Sequence, residues 1–487
     1  MNYRIDKKTK IVCTIGPSSQ DKTVMKNLLK NGMTCMRMNF SHGSYEEQKA
    51  KIDTLREIEK EENIIIPICL DTKGPEIRTS DFEGGKADFV AGEETRIYMG
   101  VEKAGTAKAF GVTYKNLYED VSIGSSIRLD DGNLLLKVIR KDEKTHEIVC
   151  LIENNHTCKS RRGVNVPGVH LSMPYLSEQD KNDLIFGCEN HVDLVSASFV
   201  RNVQDIRDMR ALLDAHGGKN IIIISKVENT EAIENLDDII RESDGIMVAR
   251  GDLAVEIPAE QVPYYQHYMI ETCRKLGKPV ITATQMLDSM IHNPFPTRAE
   301  VSDVYAAVTQ GSDSVMLSGE SANGDYPVEA VDTQARVARE AEKHYDYKHA
   351  NLSAYETSDK GVSDAISAAV SDTALLINAK LIVTVSVSGN TAVRISKTRP
   401  VCPVFVVSSD RDTLSHIMLY YGCYPYYTKY VPQFTEEMEV LALKIAKDYN
   451  IPYGSKIILT GGTPVGAGKT NFIKVLTLNE RGVVDED

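Results

Sequence analysis

Lys226 and Glu228 stand two positions apart, after four isoleucines at 221–224. On a strand, side chains alternate faces, so an ammonium and a carboxylate leave this apolar run on the same side. A second apolar run, Gly245-Ile246-Met247-Val248-Ala249, leads into Arg250-Gly251-Asp252. If the two runs are neighbours in a parallel sheet, they lie roughly 4.8 Å apart. Glu228 and Asp252 can then grip one hard divalent cation with Lys226 beside it. A cation and a lysine together suit chemistry in which negative charge moves or develops.

Further candidates stand at the ends of other apolar runs. Arg37, Asn39 and Ser41 share a face by the same alternation, and His42 follows. A guanidinium among Met and Cys residues is costly to bury without a partner. It is either half of a structural ion pair or a fork for phosphate or carboxylate. Asp71 and Thr72 end the next run and make an oxygen-rich cluster with Asn39 and Ser41 if the strands are adjacent, a composition that suits a cation. Asp71 also reads as an ordinary cap. Gly251 and Asp252 open a short helix whose free amides can hold a carboxylate, and Asp252 reads equally as a plain N-cap. Thr284, Ser318 and Glu320 close the two last runs of this kind, where threonine is ordinary in strands and Ser and Glu are ordinary in turns.

The elements that must position these residues follow a rhythm. Strands at 9–16, 33–40 and 64–72 alternate with helices at 21–30 and 44–62. From 73 to 168 helical periodicity gives way to short runs broken by Gly, Asp and Asn, which predicts a β-rich insertion, a small barrel or sandwich. Strands at 193–200, 220–228, 245–249, 279–284 and 314–318 then alternate with helices at 177–190, 203–215, 231–242, 259–276, 297–310 and 328–344. Eight successive units of this kind predict a TIM (β/α)8 barrel, with right-handed crossovers and chemistry at the strand C-termini. A polar link at 350–360 precedes a smaller α/β part with strands at 381–385, 404–407, 456–460 and 472–478. The expected domains are 1–72 and 171–345 for the barrel, 73–170 for a lid inserted after strand three, and 346–487 for a C-terminal open-sheet α/β domain.

Two glycine-containing stretches invite comparison with phosphate loops. Residues 461–470 (GGTPVGAGKT) fail the G-x4-G-K-[ST] pattern because Thr463 stands where the first glycine belongs. Ser386, Ser388, Gly389, Asn390 and Thr391 lie between a strand and a helix, and read either as an N-cap turn or as a phosphate cradle.

At 487 residues the chain holds about three domains. A net charge of −13 argues against a nucleic-acid or membrane-surface binder. The nine cysteines form no CxxC and sit mostly in apolar runs, as free thiols do in a reducing compartment. The N-terminal MNYRIDKKTK lacks an apolar stretch behind it, and no run is long enough to span a bilayer, so a cytoplasmic protein is expected.

Taken together, TKIVCTIGP (9–17), MRMNFSHG (36–43), LDTKGPEIRT (70–79), MVARGDLAVEIP (247–258), ITATQML (281–287), PTRAE (296–300) and MLSGESANGDYPVEAV (316–331) resemble the pyruvate kinase family, in order and in register. The resemblance implies phosphoryl transfer from phosphoenolpyruvate to ADP, giving ATP and pyruvate, by an allosteric cytoplasmic homotetramer of glycolysis. It implies Mg2+ (or Mn2+) on Glu228 and Asp252, and K+ on Asn39, Ser41, Asp71 and Thr72. Lys226 would stabilise the phosphoryl group in flight, and Arg37 would clamp the substrate phosphate. The amides of Gly251 and Asp252 would hold the carboxylate. Thr284 would belong to the proton relay, with Ser318 and Glu320 behind it. His42, Arg78 and Arg162, with Asn39, fall where the family contacts nucleotide. Residues 386–391 would take a phosphorylated small-molecule effector. The chain departs from the family pattern at Ala254, where Gly is usual, at Arg162, where Lys is common, at Tyr305 and Ala306, and at Val387, where some sugar-phosphate-activated members carry Lys. Glu76 matches the potassium-dependent branch.

Overall fold

The computed structural model describes residues 2–356, 358, 360–462 and 470–479. Eight parallel strands close into a barrel in sequential order: Lys10–Thr14, Cys35–Asn39, Ile68–Asp71, Leu194–Ala197, Ile222–Val227, Gly245–Ala249, Val280–Ala283 and Ser314–Leu317. They are referred to below as strands one to eight. All are buried almost throughout, because helices cover the outside and side chains fill the inside.

The interior is built in layers. Val12, Cys35, Cys69, Leu194, Ile224, Met247, Ile281 and Met316, one from each strand, pack into one apolar plug. Leu419 of the C-terminal domain joins the same cluster and seals it from below. Two positions further along each strand the side chain again points inward. That layer reads Thr14, Arg37, Asp71, Ser196, Lys226, Ala249, Ala283 and Ser318. The apolar plug gives rigidity, and the layer above it carries charge.

The helices follow their local signals. Ser44, Ser177 and Thr297 make capping boxes with Glu47, Asp180 and Glu300 at the starts of Tyr45–Glu62, Glu178–Glu189 and Arg298–Gln310. The helix expected at 231–242 is two, Thr230–Glu234 and Leu236–Glu242, broken at Asn235, whose Nδ2 donates to the carbonyls of Arg201 and Glu231. The helix expected at 259–276 begins with a 3-10 turn, Ala259–Gln261.

The insertion forms a seven-stranded sheet in the order Ile77–Arg78, Gly163–Asn165, Ser126–Leu129, Leu134–Asp142, Glu147–Ile152, Glu94–Met99 and Ala109–Val112. An antiparallel bridge from Thr79 to Val112 ties the last strand back to the first, which curls the sheet into a small barrel. Its own core includes Phe82, Phe89 and Phe110 in edge-on contact.

The C-terminal domain is an open five-stranded sheet in the order Cys423–Tyr427, Val404–Ser408, Leu381–Val385, Lys456–Gly461 and Phe472–Thr477, with only the last strand antiparallel. Cys423–Tyr427 is absent from the sequence reading, since Pro425 breaks a strand pattern. It is an edge strand, where a missing N–H is tolerated. The link expected at 350–360 is largely the helix Tyr347–Glu356. Its Ala350 and Ala354 are buried, and Asn351 Nδ2 donates to Ala368 O at 3.1 Å. Most of the phosphate-loop look-alike, residues 463–469, lies outside the described residues. Among the described residues no helix is long and apolar enough to cross a membrane, and all nine cysteines are buried and free.

Candidate active site

The charged layer converges on Asp71. Its Oδ2 accepts Arg37 Nε at 2.7 Å, and its Oδ1 accepts Lys226 Nζ at 3.2 Å and Ser198 Oγ at 3.2 Å. Arg37 Nη1 also donates to Thr14 Oγ1 at 2.7 Å, and Lys226 Nζ to Ser198 Oγ at 2.9 Å. Burial works against the charge on all three ions. Each nevertheless keeps it, because the opposite charges beside it outweigh the lost hydration. Desolvation by itself would raise the Asp71 carboxyl, but Arg37 and Lys226 outweigh it and hold the group below its usual range. Lys226 is likewise held above the usual lysine range by Asp71 and Glu228, against its own desolvation.

Glu228 lies just past the end of strand five, with Oε1 2.9 Å from Lys226 Nζ. Its Oε2 accepts the Phe199 amide at 2.7 Å. Oε1 is buried and, despite the nearby ammonium, has no hydrogen bond of acceptable angle. Burial pushes the Glu228 carboxyl up to about 7, with Lys226 opposing and Asp252 reinforcing the shift. The Asp252 carboxyl is also raised, first by burial, and lies within hydrogen-bond reach of Glu228. Two carboxylates in contact, one with an unfilled oxygen, form a pair that a divalent cation would relieve. No cluster of three His, Cys, Asp or Glu side chains forms a metal cage among the described residues. Such a pair therefore fits Mg2+ or Mn2+, whose coordination is completed by substrate oxygens and water, better than a caged metal.

Asn39 and Asp71 are register partners on strands two and three, as the expected oxygen cluster requires. Asn39 Oδ1 accepts the Ser41 amide at 3.0 Å, and Thr72 Oγ1 accepts the Ser198 amide at 3.1 Å. The donor set is all oxygen, which suits K+. Asp71 turns both of its oxygens toward the cationic side chains, Oδ2 to Arg37 and Oδ1 to Lys226.

The Gly251 amide does not stand free. It donates to Thr284 Oγ1 at 2.8 Å, and the Thr284 hydroxyl donates to Ala283 O at 2.7 Å. Thr284 and Gln285 both have positive φ, 64° and 54°, a left-handed kink that turns the hydroxyl over the first turn of the helix Arg250–Glu256. Arg250 clamps the kink: its Nη2 donates to Thr284 O at 2.7 Å and its Nη1 to Asp303 Oδ1 at 2.6 Å. Glu320 acts beneath it, accepting the amides of Leu287 at 3.1 Å and Ser318 at 2.8 Å. Among the described residues no hydrogen bond joins Thr284 to Ser318 or Glu320. Glu320 instead holds the Leu287 amide, three residues beyond Thr284, and Ser318 joins it only through its own amide.

The lid roofs this mouth. A cavity of about 100 Å3 is lined by Glu76, Gly163 and Asp131 from the lid side and by Phe199, Asp252 and Glu256 from the barrel. Arg128 Nη1 donates to Val255 O at 2.5 Å and Asn165 Nδ2 to Glu256 Oε1 at 2.9 Å, so the lid rests on the helix that carries Asp252. Arg78 pairs with Glu76 at 2.8 Å, and Arg162 Nε with Asp130 Oδ1 at 3.2 Å. His42 O accepts Gln48 Nε2 at 2.9 Å, fixing its backbone beside Asn39.

At the second candidate site, Gly389 takes φ +75° and begins the helix Asn390–Lys397. Ser386 is buried, Ser388 and Asn390 are exposed, and Thr391 Oγ1 meets Thr470 Oγ1 at 2.8 Å. Val387 is half exposed and its carbonyl accepts Thr413 Oγ1 at 3.2 Å.

Sequence reasoning missed Thr14, Ser198, the Phe199 amide and Arg250. Thr14 had a usable signal, since it stands two places after a plug residue, as Arg37 and Lys226 do. Ser198 and Phe199 lie just beyond strand four, where Phe199 takes φ +53°, and no motif pointed to them.

The chain is similar to known proteins over nearly its whole length. The family model for the barrel domain of pyruvate kinase matches residues 6–331, and the one for its alpha/beta domain matches residues 364–476. The chain is 43% identical to a pyruvate kinase of Clostridium perfringens, over 96% of this chain and 99% of the other. It is 43% identical to one of Sporosarcina psychrophila, over 97% of this chain and 81% of the other. A crystal structure of a pyruvate kinase from Cryptosporidium parvum superposes with a TM-score of 0.90 at 37% identity, covering 97% of this chain and 96% of that one.

Proposed function

The chain belongs to the pyruvate kinase family, and we propose that its barrel mouth passes the phosphoryl group of phosphoenolpyruvate to ADP. The observation that carries this reading is the convergence of Arg37 and Lys226 on Asp71, next to the Glu228–Asp252 pair. Two held cations and two carboxylates suit a transfer that needs positioning and charge neutralisation more than a covalent catalyst.

Arg37 and Lys226, both fixed by Asp71, hold the phosphate of phosphoenolpyruvate. Its P–O bond to the enol carbon's oxygen breaks as an oxygen of the ADP β-phosphate bonds to phosphorus. Lys226 lies on the face where charge spreads over the equatorial oxygens. Glu228 and Asp252 would hold Mg2+ or Mn2+, and Asn39, Ser41, Asp71 and Thr72 would hold K+; when bound, these ions offset the charge of phosphate and enolate. The substrate carboxylate takes the Gly251 and Asp252 amides, which requires Thr284 Oγ to leave Gly251. The Thr284 hydroxyl, whose proton goes to Ala283 O, must turn from that carbonyl to relay a proton to the enolate carbon, and pyruvate forms. Ser318 and Glu320 keep the Thr284 segment in place. Arg78, Arg162, His42 and Asn39 hold ADP under the lid, which limits hydrolysis by excluding water. A phosphorylated effector sits at Ser386, Ser388, Gly389, Asn390 and Thr391, and four copies assemble in the cytoplasm.

The test is pyruvate formation from phosphoenolpyruvate, ADP, Mg2+ and K+, with Glu228→Gln as control. Turnover no higher than the control would sink the reading. Substrate consumption that ignores ADP would point instead to a lyase working through the same enolate.

A further inference from the structure

Beside the roofed cavity, the lid makes a turn at Asp130-Asp131-Gly132 in which all three residues have positive φ, 54°, 56° and 83°. Two consecutive non-glycine residues in this region are uncommon, and aspartate is among the few types that tolerate it. The turn is pinned by its backbone: the Asp130 amide donates to Gly163 O at 3.1 Å and the Asn133 amide to Asp130 O at 3.1 Å. The two aspartates therefore leave the chain in different directions. Asp131 faces the cavity with Asp252. Asp130 faces back into the lid, where its two oxygens are divided between two partners. Oδ1 takes Arg162 Nε at 3.2 Å, and Oδ2 takes His156 Nε2 at 2.8 Å. An ionised carboxylate only accepts, so the proton of the second contact belongs to His156.

Arg162 is thus held from one edge. Its backbone is fixed too, since its amide donates to Thr79 Oγ1 at 3.1 Å and its carbonyl accepts the Thr79 amide at 2.9 Å. Nε is the guanidinium nitrogen nearest Asp130, in an ion pair that lacks full hydrogen-bond geometry, and among the described residues neither terminal nitrogen has a hydrogen bond. A carboxylate with both oxygens free would take such a guanidinium by a two-pronged fork, and the fork would consume a terminal nitrogen. His156 occupies the second oxygen and prevents this.

We propose that Asp130 and His156 are positioning residues that grip Arg162 by Nε alone and so present its two terminal nitrogens to the diphosphate of the nucleotide. This rests on the reading of Arg162 as a nucleotide contact. The strand His156–Lys159 that carries the histidine is paired to Lys86–Phe89, so the grip is tied to the lid's own framework and moves with it.

The experiment is a cycle of His156→Ala, Arg162→Gln and the double variant, with His156→Gln as the conservative replacement that retains a donor. KM for ADP, KM for phosphoenolpyruvate, kcat and the thermal midpoint are measured for each. Loss of one hydrogen bond in the grip predicts a rise of about fivefold in KM for ADP in His156→Ala. KM for phosphoenolpyruvate should stay within about twofold, since Arg37 and Lys226 hold that substrate. His156→Gln should recover most of the loss, and in the Arg162→Gln background His156→Ala should add nothing. The proposal is overturned if KM for ADP does not move in His156→Ala, or if the effect persists undiminished without Arg162. Should His156→Ala unfold the lid, the comparison of His156→Gln with Asp130→Asn, each isosteric in part, decides the same question. A wild-type protein with no ADP-dependent turnover would instead overturn the function proposed above, a result distinct from a flat cycle in an active enzyme.

Discussion

At the barrel mouth, Arg37, Asp71, Lys226 and Glu228 are all buried ions within reach of one another. At residues 386–391, by contrast, the donors are hydroxyls and helix amides, and two of the side chains, Ser388 and Asn390, are exposed. Both places sit at the C-terminal end of a parallel strand running into a helix, where open α/β sheets and barrels alike gather ligands. Buried charges interact strongly with developing charge and cost heavily when one partner is removed, by roughly 3–5 kcal/mol. Neutral donors at a surface change binding by about 1 kcal/mol each. The first arrangement suits a reaction centre, and the second suits a ligand that comes and goes.

The largest effect expected is at the hub. Lys226→Met should lower turnover by about a thousandfold, as loss of a donor to a developing oxyanion does. It should also lower the thermal midpoint, because Asp71 and Glu228 lose a shared cation. Turnover within tenfold of wild type, roughly what a peripheral contact contributes, would erase the distinction between the two places.

Glu228→Gln should cost about a hundredfold or more in turnover. It also changes the pH dependence of the metal-free protein. The Glu228 carboxyl is raised from 4.5 to about 7 in the folded chain, by burial above all. Between those values the folded form keeps a proton that the unfolded form has released. Stability from this group is therefore full below 4.5, falls as pH rises through about 7, and is level above that. Asp71, held low by Arg37 and Lys226 against its desolvation, works the other way and loses its contribution as pH falls through its depressed value. Thermal midpoints measured in chelator should thus show a decline toward neutral pH that Glu228→Gln flattens. Parallel curves for the two proteins would contradict the assignment.

Thr284→Val should slow turnover by about ten- to a hundredfold, in line with removal of a proton-transfer group. Solvent-proton exchange into pyruvate should fall with it; exchange at the wild-type rate would place the relay elsewhere. Replacing K+ with Na+ at saturating substrate should cost roughly tenfold, a part of the charge compensation at the transition state.

The smallest effect belongs to the C-terminal cradle. Ser388→Ala should weaken the response to a phosphorylated small-molecule effector about fivefold in effector concentration, the worth of one neutral hydrogen bond. A loss of catalytic power as large as that at Lys226 would mean that the two places are not different in kind.

Much of the site was legible from strand alternation. Lys226 and Glu228 do share a face, and their ions do meet. The eight βα units close in sequence order, because short right-handed connections leave few other topologies. The helix starts expected at 44, 177 and 297 prove to be the N-caps of the observed helices, where a Ser or Thr followed by an acidic residue satisfies the first amides locally. Local signals failed where a long-range partner overrides them. Asn235 breaks a helix to reach Arg201, and Pro425 enters an edge strand whose place at the edge is a fact of the whole sheet.

The sequence by itself determined which residues point into the barrel, because alternation is a property of the strand backbone alone. It could not decide that Asp71, on strand three, joins Arg37 on strand two to Lys226 on strand five. Strands three and five are not neighbours, and only the curvature of the closed sheet brings their inward side chains together. Tertiary structure also decided that the Gly251 amide donates to Thr284 Oγ, and that Glu320 holds the Leu287 amide instead of touching the hydroxyl. Both depend on loop dihedrals of positive φ, which no pairwise spacing encodes.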